Sequence, residues 1–174
     1  MVGRQQPGNQ APHTYPDGPV GGASTVQRDT SVTALMSIVA NALSWGGSRV
    51  YLREFGVGTN EWRVLSALVN WPGGTASHIG QVLGLNKSVV SRSLKFLEEL
   101  GMVTIEQGAG RRQLLHLTPK GKALHDRIIV VALKREQILL EGFAPAEIEQ
   151  LLDFLRRMHA NVPDMNAYDP SARP

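Results

Sequence analysis

Leu83-Gly84-Leu85-Asn86-Lys87-Ser88-Val89-Val90-Ser91-Arg92-Ser93-Leu94-Lys95-Phe96-Leu97-Glu98-Glu99-Leu100-Gly101 is the stretch from which the fold can be read. Gly84 and Gly101 each stand where a helix needs a left-handed C-terminal stop, which glycine reaches without a Cβ clash. Asn86 occupies the N-cap position of the helix between them, and Leu85 with Val90 has the spacing of a hydrophobic staple. On a wheel of about 100° per residue with Val90 at zero, Leu94 falls near 40° and Leu97 near −20°. Ser91, Lys95, Ser88 and Arg92 fall at about 100°, 140°, 160° and 200°. The helix therefore carries an apolar face that anchors it and an opposite face of hydroxyls and cations.

Working outward, Thr75 caps a short helix with Ile79, Val82 and Leu83 on one face, closed by Gly84 and separated from the next helix by a tight turn. Pro72-Gly73-Gly74 breaks the chain before it. On the other side, Met102 to Glu106 and Leu114 to Thr118 alternate in apolar character and predict two short strands. The polar, glycine-containing tip Gln107-Gly108-Ala109-Gly110-Arg111-Arg112-Gln113 joins them into a hairpin. Two short helices, a tight turn and a hairpin describe a winged helix-turn-helix.

Further out the periodicity is helical. Val32, Leu35, Met36, Val39, Ala42 and Leu43 recur at three- and four-residue spacing in a long first helix that Gly56 and Gly58 end. Thr59 or Asn60 can cap the next, with Trp62, Leu65, Leu68 and Val69 as its core face. Thr118-Pro119 starts a fifth helix through Leu124, Ile128, Val131 and Leu139. Pro145 starts a sixth that buries Ile148, Leu151, Leu152, Leu155 and Met158. The fold class is mainly α with a small β-hairpin wing, flanked by long terminal helices.

A recognition helix must present hydrogen-bonding and cationic groups to phosphates and base edges in the major groove. Arg92 and Lys95 reach backbone or guanine acceptors, Ser88 and Ser91 fit near the groove floor, and Asn86 and Lys87 sit at the entry. Thr75 joins this set at the start of the preceding helix. Arg111 and Arg112 at the wing tip suit a narrow minor groove, whose negative potential attracts guanidinium. Glu98 and Glu99 oppose phosphate but lie at the far end of the helix.

The ordered set Asn60-Glu61-Trp62-Arg63-Val64-Leu65, Leu83 to Arg92, Leu97-Glu98-Glu99-Leu100-Gly101-Met102-Val103, Arg111, and Leu117-Thr118-Pro119-Lys120-Gly121 resembles the MarR family of bacterial regulators. The resemblance covers about residues 30–162 and implies a homodimer in which the first, fifth and sixth helices form the interface. It implies two lobes reading a pseudo-palindromic operator in double-stranded DNA, with Arg111 in the minor groove. The family's acidic residue two positions before that arginine is here Ala109, which leaves Arg111 less firmly oriented. Family members often bind aromatic acids between the dimer helices and the DNA lobe, and Trp45, Arg49, Tyr51 and Trp62 are the candidate lining for a small aromatic carboxylate effector.

These readings divide the chain into a flexible arm at 1–28, dimerisation helices at 29–58 and 119–162, a DNA-binding lobe at 59–118 and a tail at 163–174. Helices beyond the winged lobe need a second apolar surface, which a symmetric copy supplies. The arm holds Pro7, Pro12, Pro16 and Pro19 and almost no large aliphatics, so it cannot offset its own ordering entropy. The expected function is a homodimeric repressor released by a small aromatic acid. The competing readings are an activator or architectural factor without an effector, and a helical protein-interaction module.

Composition bounds the rest. The 174 residues are 42% hydrophobic, enough for a core, and carry a formal charge of +3. Cysteine is absent, which removes disulfides, thiolate catalysis and thiolate zinc ligands and favours a cytoplasmic home. No run approaches the roughly 20 apolar residues of a membrane span. His13, His78, His116, His125 and His159 lack paired-ligand spacing, so no metal or cofactor is expected. No phosphate loop, nucleophile elbow or carboxylate pair points to an enzyme. His125 and Asp126 are adjacent on a helix and are expected to point in different directions.

Overall fold

The winged lobe holds together because every element contributes one apolar edge to a common centre. The computed structural model describes residues 31–171, so the arm expected at 1–28 lies outside the described residues. The chain divides into two units, Met1–Leu43 and Ser44–Pro174. In the first, the described residues open helix α1 (Val32–Phe55), where the Ser31 hydroxyl accepts the Ala34 N–H at 3.3 Å. Val32, Leu35, Met36 and Val39 are exposed there.

The second unit contains the rest of α1, then α2 (Thr59–Asn70), α3 (Ala76–Leu83), α4 (Lys87–Glu99), β1 (Val103–Gln107), β2 (Gln113–Leu117), α5 (Pro119–Leu139), α6 (Pro145–Ala160) and α7 (Val162–Ala167). Its core is built from Tyr51 and Val57, Leu65 and Leu68 of α2, Ile79 of α3, Val90, Leu94 and Leu97 of α4, Val103 and Leu115 of the hairpin, and Leu124 and Ile128 of α5. Each such aliphatic, taken fully out of water, contributes roughly 1.5–3 kcal/mol before entropy is counted. Val82, read as part of the core face of α3, is exposed instead, because an eight-residue helix turns only its Ile79 and Gly80 inward.

The caps are as the residue types require. Thr75, Asn86 and Thr118 each accept an N–H of the first turn of α3, α4 and α5, from His78, Val89 and Gly121. At α2 the cap differs from expectation: Gly58 is the N-cap residue, and the carboxylate of Glu61 accepts its N–H at 3.0 Å. Thr59 turns its hydroxyl back to donate to Ser44 O at 3.0 Å.

The antiparallel hairpin pairs Val103 with Leu117 and Ile105 with Leu115. Pro72-Gly73-Gly74 is more than a breaker. Gly73 donates to Leu115 O at 3.0 Å and Leu115 donates to Gly74 O at 3.2 Å, which pins β2 to the lobe. Between α4 and α5, Thr118 donates its hydroxyl to Gly101 O and its N–H to Met102 O, and Lys120 donates to Leu100 O. Gly121 sits so close to Met102 O that a Cβ has no room there, so only glycine fits.

Two expectations at the C-terminal end are corrected. The tail read from Pro163 contains α7, with Pro163 in the first turn where its missing N–H is harmless. Helix α6 has no buried residue in the single chain: Leu151, Leu152 and Leu155 are 36 to 39% exposed. No helix among the described residues is long and apolar enough to cross a membrane.

Candidate nucleic-acid interface

Helix α4 separates its two faces as the wheel requires. Val90, Leu94 and Leu97 are buried, while Lys87, Ser88, Ser91, Arg92 and Lys95 are exposed. Asn86 Oδ1 accepts both the Val89 N–H at 3.0 Å and the Ser88 hydroxyl at 2.8 Å, so one side chain caps the helix and orders its first exposed serine. Arg92 Nε donates to Ser88 O at 3.3 Å, which lays the guanidinium stem along the helix and leaves its remaining donors outward. Lys95 lies 3.8 Å from Glu99, an exposed i,i+4 pair of small worth that phosphate can outcompete. Thr75 spends its hydroxyl on the α3 cap and is half-buried, so its contribution is to place the start of α3.

An open cleft of about 610 Å³ runs between α3, α4 and the hairpin. Leu85, Val90, Leu94, Ile105 and Leu115 form part of its lining together with Lys87, Ser91, Lys95 and Glu98. Sequence reasoning missed Ser77 and Gln81 of α3 and Gln113 of β2, which share this lining. The polar residues of α3 opposite Ile79 were the available signal. His78 meets Trp71 edge-on at 6.1 Å between ring centroids.

Arg111 and Arg112 are exposed on the hairpin tip, where Gly108 donates to Arg112 O at 2.8 Å and Gly110 takes a φ of 72°. Neither arginine lines the cleft. The tip and α4 thus offer two separate cationic features.

The four residues proposed as an effector lining are not brought together on one surface. Tyr51 and Trp62 are buried at 5 and 8% exposure with ring centroids 6.2 Å apart. Trp45 is 74% exposed, and Arg49 one turn later is also exposed. Trp62 stacks at 5.1 Å on His125.

His125 and Asp126 do not point apart. The His125 Nδ1 lies 3.0 Å from Asp126 Oδ1, because the short Asp side chain folds sideways across the helix surface, where Lys122 Nζ also donates to it at 2.7 to 2.8 Å. The Lys122 hydrogen bond, then that of His125, hold the Asp126 carboxyl below its ordinary value. Elsewhere the lobe uses a partly buried Arg63 Nη2 to bind Leu83 O at the end of α3, and burial lowers that guanidinium's pKa. Among the described residues, no three His, Cys, Asp or Glu side chains are grouped so as to hold a metal ion.

A capped recognition-type helix with an exposed cationic face, set behind a short helix and followed by a basic-tipped hairpin, defines a winged helix-turn-helix DNA-binding protein. The comparisons carry this further. A MarR family model matches residues 55–113. An uncharacterized HTH-type transcriptional regulator of Bacillus subtilis (strain 168), YwoH, is 32% identical over 106 residues, which is 60% of this chain and 77% of that one. A crystal structure of a MarR/EmrR family transcriptional regulator from Acinetobacter sp. ADP1 matches with a TM-score of 0.76 and 33% identity, over 80% of this chain and 99% of that one. The fold also matches that of S. aureus MepR, solved as a DNA complex, with a TM-score of 0.68 and 20% identity, over 78% of this chain and 99% of that one. The chain belongs to the MarR family and is a DNA-binding transcriptional regulator.

Proposed function

We propose that the chain is a homodimeric repressor of a pseudo-palindromic operator, contacting base edges and phosphates of the major groove with Asn86, Lys87, Ser88, Ser91, Arg92 and Lys95, and the minor groove with Arg111 and Arg112. The observation that carries this is the division of α4 into a buried aliphatic face and an exposed face with three cations and two hydroxyls. MepR, which shares the fold, was solved bound to DNA, and that supports the assignment of the same module. Residues 59–118 form the reading lobe, and 29–58 with 119–162 the dimerisation helices. The exposed Leu151, Leu152, Phe154 and Leu155 of α6 supply an apolar face suited to a second copy. The protein acts in the cytoplasm and catalyses no reaction in this role.

Release is assigned to a small aromatic carboxylate. Trp45 and Arg49 stand at i and i+4 on α1, an aromatic face beside a guanidinium, whereas Tyr51 and Trp62 are core in this conformation. The test is selection of duplexes from a random pool by the purified chain, followed by footprinting and titration with hydroxylated benzoates. The expected result is two protected half-sites about 34 Å apart, one turn of duplex, with protection lost on adding the acid. A single half-site would refute the dimer, and indifference to every acid would favour an activator or architectural factor.

A further inference from the structure

Ser93 is the one buried polar residue of α4, at 2% exposure, and its hydroxyl donates to Glu61 Oε1 at 2.6 Å. The other oxygen of the same carboxylate, Oε2, accepts the Gly58 N–H at 3.0 Å. Glu61 thus joins the start of α2 to the middle of α4. The approach at Gly58 is tight enough that a Cβ there would come within 2.7 Å of Glu61 Oε2. Beside it, Thr59 donates its N–H to Ser48 Oγ at 3.1 Å and its hydroxyl to Ser44 O at 3.0 Å, so the end of α2 that carries Glu61 is itself fastened to α1.

We propose that Glu61 is a positioning residue for DNA recognition, fixing through Ser93 the rotation of α4 about its own axis. This rests on the reading of α4 as the recognition helix. Contacts of Val90, Leu94 and Leu97 are non-directional and tolerate small rotations, whereas a short hydroxyl–carboxylate bond does not. A turn of ~20° carries a side-chain tip at roughly 6 Å from the helix axis by about 2 Å, which is enough to break a base contact. Glu61 is half-buried and bonded to the buried Ser93, so it needs no contact with DNA to set where Arg92, Ser91 and Lys95 fall.

The test compares wild type, Ser93→Ala, Glu61→Ala, the double variant and Arg92→Ala on two duplexes: one selected from a random pool by the wild-type chain, and a scrambled duplex of the same composition. Ser93→Ala is expected to weaken the selected duplex about tenfold, the worth of one charge-assisted hydrogen bond, and to leave the scrambled duplex and the salt slope unchanged. Glu61→Ala loses the α2 cap and melts lower, yet the double variant loses no more discrimination than either single one, because both remove the same link. Wild-type discrimination by Ser93→Ala, alongside its loss in Arg92→Ala, overturns the positioning role while leaving the recognition helix standing. Unchanged binding in Arg92→Ala overturns the recognition-helix reading and the proposal with it. Parallel loss on both duplexes, tracking the melting temperature, assigns Glu61 to stability alone and also overturns it.

Discussion

Arg92 and Lys95 differ in how firmly the helix holds them, and the difference sets their expected roles. Arg92 is laid along the helix by its bond to Ser88 O, while Lys95 has only a screened partner in Glu99. Arg92→Ala should weaken the selected duplex by about 1–3 kcal/mol and relax specificity at one base position. Lys95→Ala should weaken all duplexes alike and reduce the salt slope by about 1, as a phosphate contact does; titration at several salt concentrations separates the two. Asp126 makes a prediction about stability. Its folded pKa is depressed by Lys122 and His125, so its contribution is present above the unfolded value of about 3.9 and is lost as pH falls through the lower folded value. Asp126→Asn should therefore lower the urea midpoint at neutral pH, and the gap from wild type should close in acid. The His125 contact was hidden from sequence because helical spacing describes where a Cβ points and not how a carboxylate rotates beyond it.

Among the elements, α3, α4 and α5 were readable to their caps, since Thr75, Asn86 and Thr118 act through bonds three residues away in the chain. Helix α2 was less so. Thr59 has the chemistry of a cap, but the nearness of Ser44 and Ser48 recruits its hydroxyl and leaves capping to Glu61. The wing shows the same division: alternation gave its strands to within a residue, and nothing local revealed that Gly73 and Gly74 would hydrogen-bond Leu115. Arg111→Ala on the exposed tip should reduce affinity and remove any preference for A·T-rich flanks, where the minor groove is narrow and attracts guanidinium. Selection repeated with the variant protein is the check, and an unaltered flank preference would count against minor-groove insertion.

For the whole molecule, α6 is the element that needs a cover. Four large apolar side chains at 36 to 45% exposure on one 16-residue helix are poorly suited to water, and a symmetric copy would remove them from it. Leu151→Glu with Leu155→Glu should yield a monomer in sedimentation and lose the two-half-site duplex, while each winged lobe still melts cooperatively around its own core. What the sequence determined by itself was the run of elements, their caps and the polar face of α4, because periodicity and capping act over three or four residues. Tertiary structure alone decided that Glu61 meets Ser93 across 32 positions, that the Pro72-Gly73-Gly74 turn pairs with β2, and that Tyr51 and Trp62 lie inside while Trp45 lies outside. Those are contacts between distant segments, and their distances are set by how whole elements pack rather than by any local preference.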